Sequence, residues 1–152
     1  MKLDFSGKTV AVSGAAIGFG RAISARFADA GARVFGCDIL DCGDADASVL
    51  AMSKVDLLDR KAGADWIKSI EDRTGGAIDV LVNNAGGVAG QANKPLEEVS
   101  DDDWDRVIGI NLGAAFTLCR AAAPAMKRAA RGAIVTITSG AALQASLTGV
   151  QA

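Results

Sequence analysis

The chain has 152 residues, half of them hydrophobic and 22% charged, which is enough apolar material for one domain with a core. Its 16 basic and 18 acidic side chains give a net charge of −2, so no basic surplus exists to neutralise a nucleic-acid backbone. The absence of His excludes imidazole metal ligands, a His general base and every Ser-His-Asp triad, and Tyr is absent as well.

Short apolar runs alternate with helical patterns along the whole chain. In order, the sequence predicts a strand at Thr9–Val12, a helix from Phe19 stopped by Gly31, strands at Arg33–Cys37 and within Val49–Val55, a helix capped by Asp59 that ends before Gly75, a strand at Ile78–Val82, a helix capped by Ser100, and a strand at Ala133–Thr138. Apolar strands separated by amphipathic helices are typical of a parallel sheet covered on both faces. We therefore predict an α/β, Rossmann-type doubly wound fold with strand order 3-2-1-4-5.

The helix after Ser100 carries an apolar stripe that we expect to face the core: Trp104, Val107, Ile108, Asn111, Leu112, Ala115, Phe116, Cys119 and Ala122. Asn111 lies within this stripe, and a buried amide must find hydrogen-bond partners. Its role is either structural or at the border of an active-site crevice, and helical spacing does not choose between the two.

The three cysteines, Cys37, Cys42 and Cys119, form no Cys-x-x-Cys pair, and we expect reduced, structural thiols and no metal site. The first apolar run is too short for a secretory signal. The uncharged stretch 132–152 contains too many Thr, Ser and Gln side chains to span a bilayer. A soluble, cytoplasmic protein without nucleic-acid or membrane partners is the expectation.

A glycine-rich segment, Ser-Gly-Ala-Ala-Ile-Gly-Phe-Gly, runs from Ser13 to Gly20 between the first strand and the first helix. Glycines allow a tight turn and close approach of backbone to a ligand, and the free N–H groups of the helix favour a pyrophosphate. Its spacing differs from the common Gly-x-Gly-x-x-Gly fingerprint, so a simple glycine-rich turn stays open as the alternative.

Asp38 ends the second strand, 18 residues after Gly20. A carboxylate there can accept both hydroxyls of an adenosine ribose and repels a 2′-phosphate. Ile17 and Ile39 supply no cation for that phosphate, so the pattern favours NAD over NADP. A solvated acid at a strand end is the alternative.

The segment Asn83-Asn84-Ala85-Gly86 directly follows the fourth strand. In a doubly wound sheet this position lies beside the crevice in which ligands bind. The amides can fix neighbouring loops and present backbone to a cofactor, although the same residues also suit a simple turn.

Together these motifs resemble the short-chain dehydrogenase/reductase family. The resemblance rests on Ser13-Gly14-x-x-x-Gly18-x-Gly20, Asp38, Asp56-Leu57, Asn83-Asn84-Ala85-Gly86, Asn111 and Ile137-Thr138-Ser139. It implies that the cofactor is held by Gly14, Ala16, Ile17, Gly18, Phe19 and Gly20 at the pyrophosphate, Asp38 at the ribose, Asp56 and Leu57 along the adenine, and Asn83, Asn84, Ala85 and Gly86 beside the ribose. It also implies that Asn111 anchors a water in a proton relay and that Ser139 hydrogen-bonds the substrate.

The family's catalytic Tyr, within Tyr-x-x-x-Lys, belongs to the helix after the fifth strand and is absent from these residues. The resemblance therefore implies that residues 1–152 form a single NAD-binding domain, incomplete at its C-terminus and inactive alone. The parent would be an NAD-dependent alcohol dehydrogenase or carbonyl reductase that acts on a small alcohol or ketone and forms a homo-oligomer.

Two other functions stay open. The chain could be a natural short product that binds a dinucleotide without catalysis. An adenosyl-methyltransferase would also use a glycine-rich first loop and an acid after the second strand, but it gives no reason for Asn83-Asn84-Ala85-Gly86 or for Ser139.

Overall fold

The computed structural model describes residues 3–41, 51–90 and 95–140. In chain order the elements are β1 (Thr9–Ser13), α1 (Gly18–Asp29), β2 (Arg33–Asp38), β3 (Ala51–Lys54), α2 (Arg60–Thr74), β4 (Val80–Asn83), a 3-10 turn (Leu96–Glu98), α3 (Asp101–Ile108), a π-helical segment (Gly109–Gly113), α4 (Ala114–Ala129) and β5 (Ala133–Thr136). The predicted elements are all present, and their bounds agree with the predicted ones to within two residues. Cys42 and the start of the predicted third strand lie outside the described residues.

The five strands form one parallel sheet in the order β3-β2-β1-β4-β5, which confirms the predicted order. Val10 pairs with Val34 on one side and with Val80 on the other. The chain adds strands outward in one direction from β1 to β3 and then in the other from β4, so the crevice between the loops after β1 and β4 is the switch point of the sheet.

Both faces of the sheet are covered at β1, β2 and β4, which explains why these strands read as continuous apolar runs, whereas β5 is exposed. Ala11, Phe35 and Leu81 pack against α2 and α4 on one face. Val10, Val34 and Val82 form the other face, against which residues of α1 pack. All five residues of β1 are buried.

The helix caps follow the sequence signals. The Asp59 carboxylate accepts hydrogen bonds from the backbone N–H groups of Lys61 and Ala62, and α2 ends at Gly75 in the left-handed conformation, with φ of 70°. Ser100 caps α3 through the N–H of Asp103. These local signals therefore set where α2 and α3 begin, as predicted.

The expectation that the apolar stripe after Ser100 faces the core is wrong for its large side chains. Trp104, Ile108, Leu112 and Phe116 are exposed, by 40% to 66%, and Cys119 is only half-buried. The buried face of α4 instead consists of Ala114, Thr117, Leu118, Ala122, Ala125 and Met126. This face packs against α2, where a Cβ atom on Gly63 would be 3.6 Å from side-chain atoms of both Thr117 and Leu118.

One helical stretch of the described chain, Asp101–Ala129, is long and apolar enough to cross a membrane by length and composition alone. Its most apolar window has a mean hydropathy of 1.3 and is 22% buried. Leu118 and Ala122 of this stretch belong to the core beside the sheet, which is the packing of a helix in a globular domain. The apolar composition therefore reflects two faces, one in the core and one exposed.

Candidate functional site

A cleft of about 660 Å³ opens at the carboxyl ends of the strands. Such a volume is ordinary for a small-molecule site. Its lining comes from the loops after β1, β2, β3 and β4 and from the end of α3: Gly14, Ile17, Gly18, Phe19, Asp38, Ile39, Leu40, Val55, Asp56, Leu57, Leu58, Asn84, Ala85, Gly86, Ala89, Arg106 and Ile110. Five segments that are distant in sequence thus meet at one edge of the sheet.

Most of the sequence-predicted cofactor residues line this cleft. Ala16, Gly20 and Asn83 do not. Ser139 lies beyond the end of β5, is exposed and is also outside the lining. Asn111 is next to the lining residue Ile110 but does not line the cleft itself.

The glycine loop is shaped by contact with the loop after β4. Gly14 has φ of +66°, and a Cβ atom there would lie 2.9 Å from the Ala85 Cα. A Cβ atom on Gly20 would overlap the carbonyl oxygen of Gly14. Both glycines are therefore required by packing, whatever the cleft binds.

Gly18 differs from the other two loop glycines. It begins α1 at φ of +55°, and a Cβ atom there would meet nothing within 4 Å. The N-cap residue Ile17 makes no side-chain capping bond. The first N–H groups of α1 are thus left for an anion, as at pyrophosphate-binding helix termini.

Asp38 is held in place by both of its oxygens. Oδ2 accepts a hydrogen bond from the Ala16 N–H at 3.0 Å, and Oδ1 accepts one from the Leu40 N–H at 3.0 Å. The carboxylate is half-buried and joins the glycine loop to the end of β2. It is therefore a fixed acid in the wall of the cleft, not a freely solvated one.

Ser13 and Asn84 join the loops after β1 and β4. The Ser13 Oγ accepts hydrogen bonds from the N–H groups of Asn84 and Ala85, each at 3.0 Å. The Asn84 Nδ2 donates to the carbonyl oxygens of Ser13 and Gly14, each at 3.1 Å. Asn84 therefore does more than form a turn, because its side chain fixes the glycine loop.

Asn83 lies apart from the cleft. Its side chain is buried, and Nδ2 donates to the Thr136 Oγ1 at 3.2 Å and to the Cys119 Sγ at 3.3 Å. Its Oδ1 is buried without a hydrogen-bond partner among the described residues. Alternation along β4 explains the separation, since neighbouring residues of a strand point to opposite faces.

Asn111 lies in the π-helical segment and is exposed, in contrast to the expected buried position. Its Oδ1 accepts from the Gly87 N–H at 3.0 Å, and its Nδ2 donates to the carbonyl oxygens of Gly87 at 2.8 Å and Val107 at 2.9 Å. A Cβ atom on Gly86 would lie 2.5 Å from this Oδ1. The amide thus ties the loop after β4 to the helix.

The turn after β3 forms another wall of the cleft. There the Asp56 Oδ1 accepts a hydrogen bond from the Leu58 N–H at 2.9 Å, and Leu57 is buried. Arg106 and Ile110 complete this wall and were missed by motif reasoning. Their spacing of four residues, which places two side chains on one helix face, was the available signal.

The two thiols in the described part of the chain, Cys37 and Cys119, have no catalytic arrangement. Burial, together with the neighbouring Asp38 carboxylate, raises the pKa of the Cys37 thiol, so the reactive thiolate is disfavoured. Cys119 is half-buried beside Asn83. Within the described ranges, no group of three His, Cys, Asp or Glu side chains could hold a metal ion.

A second cleft, of about 890 Å³, runs along α1 and is larger than the first. Its lining is mostly apolar, with Arg26 and Asp29 as its charged residues. It lies away from the strand ends and has no converging backbone donors, so size alone does not make it the better candidate.

The family model described as short chain dehydrogenase matches residues 8–151 of this chain. The D-threitol dehydrogenase of Mycolicibacterium smegmatis is 38% identical in a match that covers 93% of this chain and 58% of the relative. The D-beta-hydroxybutyrate dehydrogenase of Rhizobium meliloti is 35% identical, with 91% and 56% covered. The 2,3-dihydro-2,3-dihydroxybenzoate dehydrogenase of Escherichia coli is 34% identical, with 92% and 54% covered.

Solved structures give the same relation. A chain from Burkholderia xenovorans described as a short-chain dehydrogenase/reductase superposes with a TM-score of 0.82 at 28% identity, covering 95% of this chain and 59% of that one. The crystal structure of gox2181 has a TM-score of 0.83 at 24% identity and shows the shared fold. This chain spans somewhat more than half the length of the proteins it matches, and the matches give no support to the methyltransferase alternative.

Proposed function

This chain belongs to the short chain dehydrogenase family, and on that premise we propose that its cleft binds NAD for hydride transfer between the nicotinamide and an alcohol or carbonyl substrate. The observation that carries the proposal is the fixed Asp38 carboxylate, which shares the cleft with the uncapped start of α1. The two features lie where a dinucleotide presents a ribose and a pyrophosphate.

The residues present fit this cofactor. The N–H groups at the start of α1 would hold the pyrophosphate, and Gly18 leaves space for it. Asp38 would accept the hydroxyls of the adenosine ribose, while Asp56 and Leu57 would border the adenine. NAD, when bound, supplies the hydride acceptor, and the chain supplies position and electrostatics.

The preference for NAD over NADP rests on charge. Both oxygens of Asp38 are fixed by backbone N–H groups, so the acid cannot turn away from a 2′-phosphate. Ile17 and Ile39, which flank it in the cleft, are apolar. Among the described residues beside Asp38, a phosphate at this position would meet a carboxylate and apolar side chains, which is unfavourable in a partly buried site.

The experiment is a comparison of NADH and NADPH affinity. We expect wild type to bind NADH more tightly, and Asp38→Asn to lose roughly tenfold or more of that affinity because hydrogen bonds to a charged acceptor are lost. The difference in affinity between NADH and NADPH should be smaller in this variant than in wild type. Asp29→Asn, which removes a carboxylate outside the cleft, is the matched control. Tighter binding of NADPH by wild type would contradict the proposal.

Proton transfer to the substrate is the part of the function that these residues do not supply in full. We propose that Ser139 binds the substrate oxygen. We also propose that Asn111, through its hydrogen bonds to Gly87, holds the loop after β4 in place. No Tyr is present in the 152 residues, and loss of a general acid typically costs about 10²–10⁴-fold in rate. We therefore expect this chain to bind NADH without measurable turnover of alcohols or ketones, the behaviour also expected of a non-catalytic dinucleotide-binding protein.

A homo-oligomer completes the proposal. Trp104, Ile108, Leu112 and Phe116 form an exposed apolar stripe on α3, the π-helical segment and α4, hereafter the α3–α4 stripe. Large apolar side chains at helical spacing on a free face are typical of a partner surface. A second copy of the chain is the partner we propose.

A further inference from the structure

Arg106 is the one cation among the described residues that line the cleft. It lies on α3 and is exposed. No carboxylate of the described chain is within ion-pair distance of its guanidinium, and no described side chain or backbone group forms a hydrogen bond with it. A charged group that faces a cleft without a protein partner is available to a ligand.

The position of Arg106 in the cleft is set by the contact between α3 and the turn after β3. A Cβ atom on Gly109, three residues further along, would lie 2.9 Å from the Leu58 Cδ2. Ile110, four residues after Arg106, lines the same cleft. Arg106 therefore belongs to the wall formed with the turn at Asp56–Leu58, whereas the glycine loop forms the opposite wall.

The two walls differ in what they can bind. In the proposed function, the start of α1 holds the pyrophosphate and Asp38 holds the ribose hydroxyls. The wall formed by Arg106 and the turn at Asp56–Leu58 is then left to contact the adenine ring. Leu58 and Ile110 offer apolar edges to a planar base. A guanidinium stacks on the face of an aromatic ring, and it does so better than an ammonium because it is planar and weakly hydrated.

We propose that Arg106 is a binding residue for the adenine end of the dinucleotide, with its guanidinium stacked on the purine face. The inference rests on the proposed function and refines it. It assigns the adenine contact to a cation on α3 in addition to the Asp56-Leu57 pair. It also gives the chain a means of recognising any adenine nucleotide, independently of the nicotinamide half.

The test compares the binding of NADH, AMP and nicotinamide mononucleotide by calorimetry in wild type and in Arg106→Met. An exposed cation–π contact corresponds to a loss of about twofold to fivefold in affinity, which we expect for both NADH and AMP. Binding of nicotinamide mononucleotide should be unchanged. Arg128→Met, which removes an exposed guanidinium on α4 far from the cleft, is the control and should bind all three ligands like wild type.

Two results would overturn the inference. Wild-type affinity of Arg106→Met for NADH and AMP would show that the guanidinium makes no contact, and an equal loss for nicotinamide mononucleotide would place it on the other half of the cofactor. Arg106→Gln should lose the same affinity for NADH and AMP, so a folding defect in one of the two variants would not decide the result. Failure of wild type to bind NADH at all would instead remove the proposed function, so the two failures are distinguishable.

Discussion

A single hydroxyl group organises the two loops that form the centre of the cleft. The Ser13 Oγ accepts two backbone N–H groups from the loop after β4 and donates to the Val82 carbonyl oxygen at 3.4 Å. Ser13 is buried, so its hydrogen-bonding capacity is fully used inside the protein. At this scale the site consists of polar atoms that hold each other in place before any ligand arrives.

Gly14 gives a prediction at the same scale. We expect Gly14→Ala to lower the unfolding midpoint and to weaken NADH binding, since the new methyl group would lie 2.9 Å from the Ala85 Cα at a positive φ. A left-handed, crowded position of this kind costs on the order of 1–3 kcal/mol.

The control for this variant is Gly76→Ala. Gly76 has open space around its Cα, so an added methyl group meets no atom within 4 Å. Its midpoint should stay near that of wild type. Equal stability of Gly14→Ala and Gly76→Ala, measured by thermal unfolding, would show that the loop relaxes and that Gly14 is not required by packing.

At the scale of elements, α2 and α4 pack in one core cluster while their polar edges lie beside that core. Glu71 on α2 is at such an edge: it is half-buried, and its Oε1 is buried without a hydrogen-bond partner among the described residues. Burial raises the pKa of the Glu71 carboxyl, an effect that the nearby Arg128 charge partly offsets. The charged form is therefore less favourable in the folded chain than in the unfolded chain.

The sign of the resulting pH dependence follows from this raised pKa. Above the folded-state pKa the ionised Glu71 costs stability, and this cost declines as the pH falls from that pKa to the lower pKa of the unfolded chain, below which both states bind the proton. We expect Glu71→Gln to have a higher unfolding midpoint than wild type at neutral pH and a smaller advantage in acid. Glu98→Gln, at an exposed position in the 3-10 turn, is the control. A midpoint difference that does not change with pH would refute this explanation.

At the scale of the whole molecule, the α3–α4 stripe is an exposed apolar surface of the described residues. Leu112 is 66% exposed at its centre, and β5, at the edge of the described sheet, is exposed along all of its residues. An exposed, uncharged edge strand favours association with other chains. Apolar surface is thus present on both a helix face and a sheet edge, and the helix face is the one with large side chains at regular spacing.

We expect the proposed homo-oligomer to depend on this stripe. Leu112→Asp should reduce the mass measured by light scattering toward that of a single chain, because a charge in an apolar interface is strongly unfavourable. Leu96→Asp, at a residue that is 62% exposed outside the stripe, should leave the mass unchanged. A wild-type mass equal to one chain would contradict the proposal of a second copy.

The sequence by itself determined the class of fold and the outline of the site. Apolar periodicity predicted the strands and the helices, because strands buried on both faces and helices buried on one face produce different patterns. The glycine loop, Asp38 and Asn84 were found as local motifs whose residue types are fixed by backbone geometry. Each of these motifs follows the end of a strand, and the strands are parallel, so the motifs lie together at one edge of the sheet.

Tertiary structure alone decided which surfaces meet. Periodicity identified the stripe of large apolar residues after Ser100, but packing of α4 on α2 buried a different face, which contains Thr117, Leu118 and Ala122. The same long-range packing exposed Asn111 and brought Arg106 to the cleft wall. A local pattern records what one residue tolerates, whereas a contact depends on the shape of a partner that is distant along the chain.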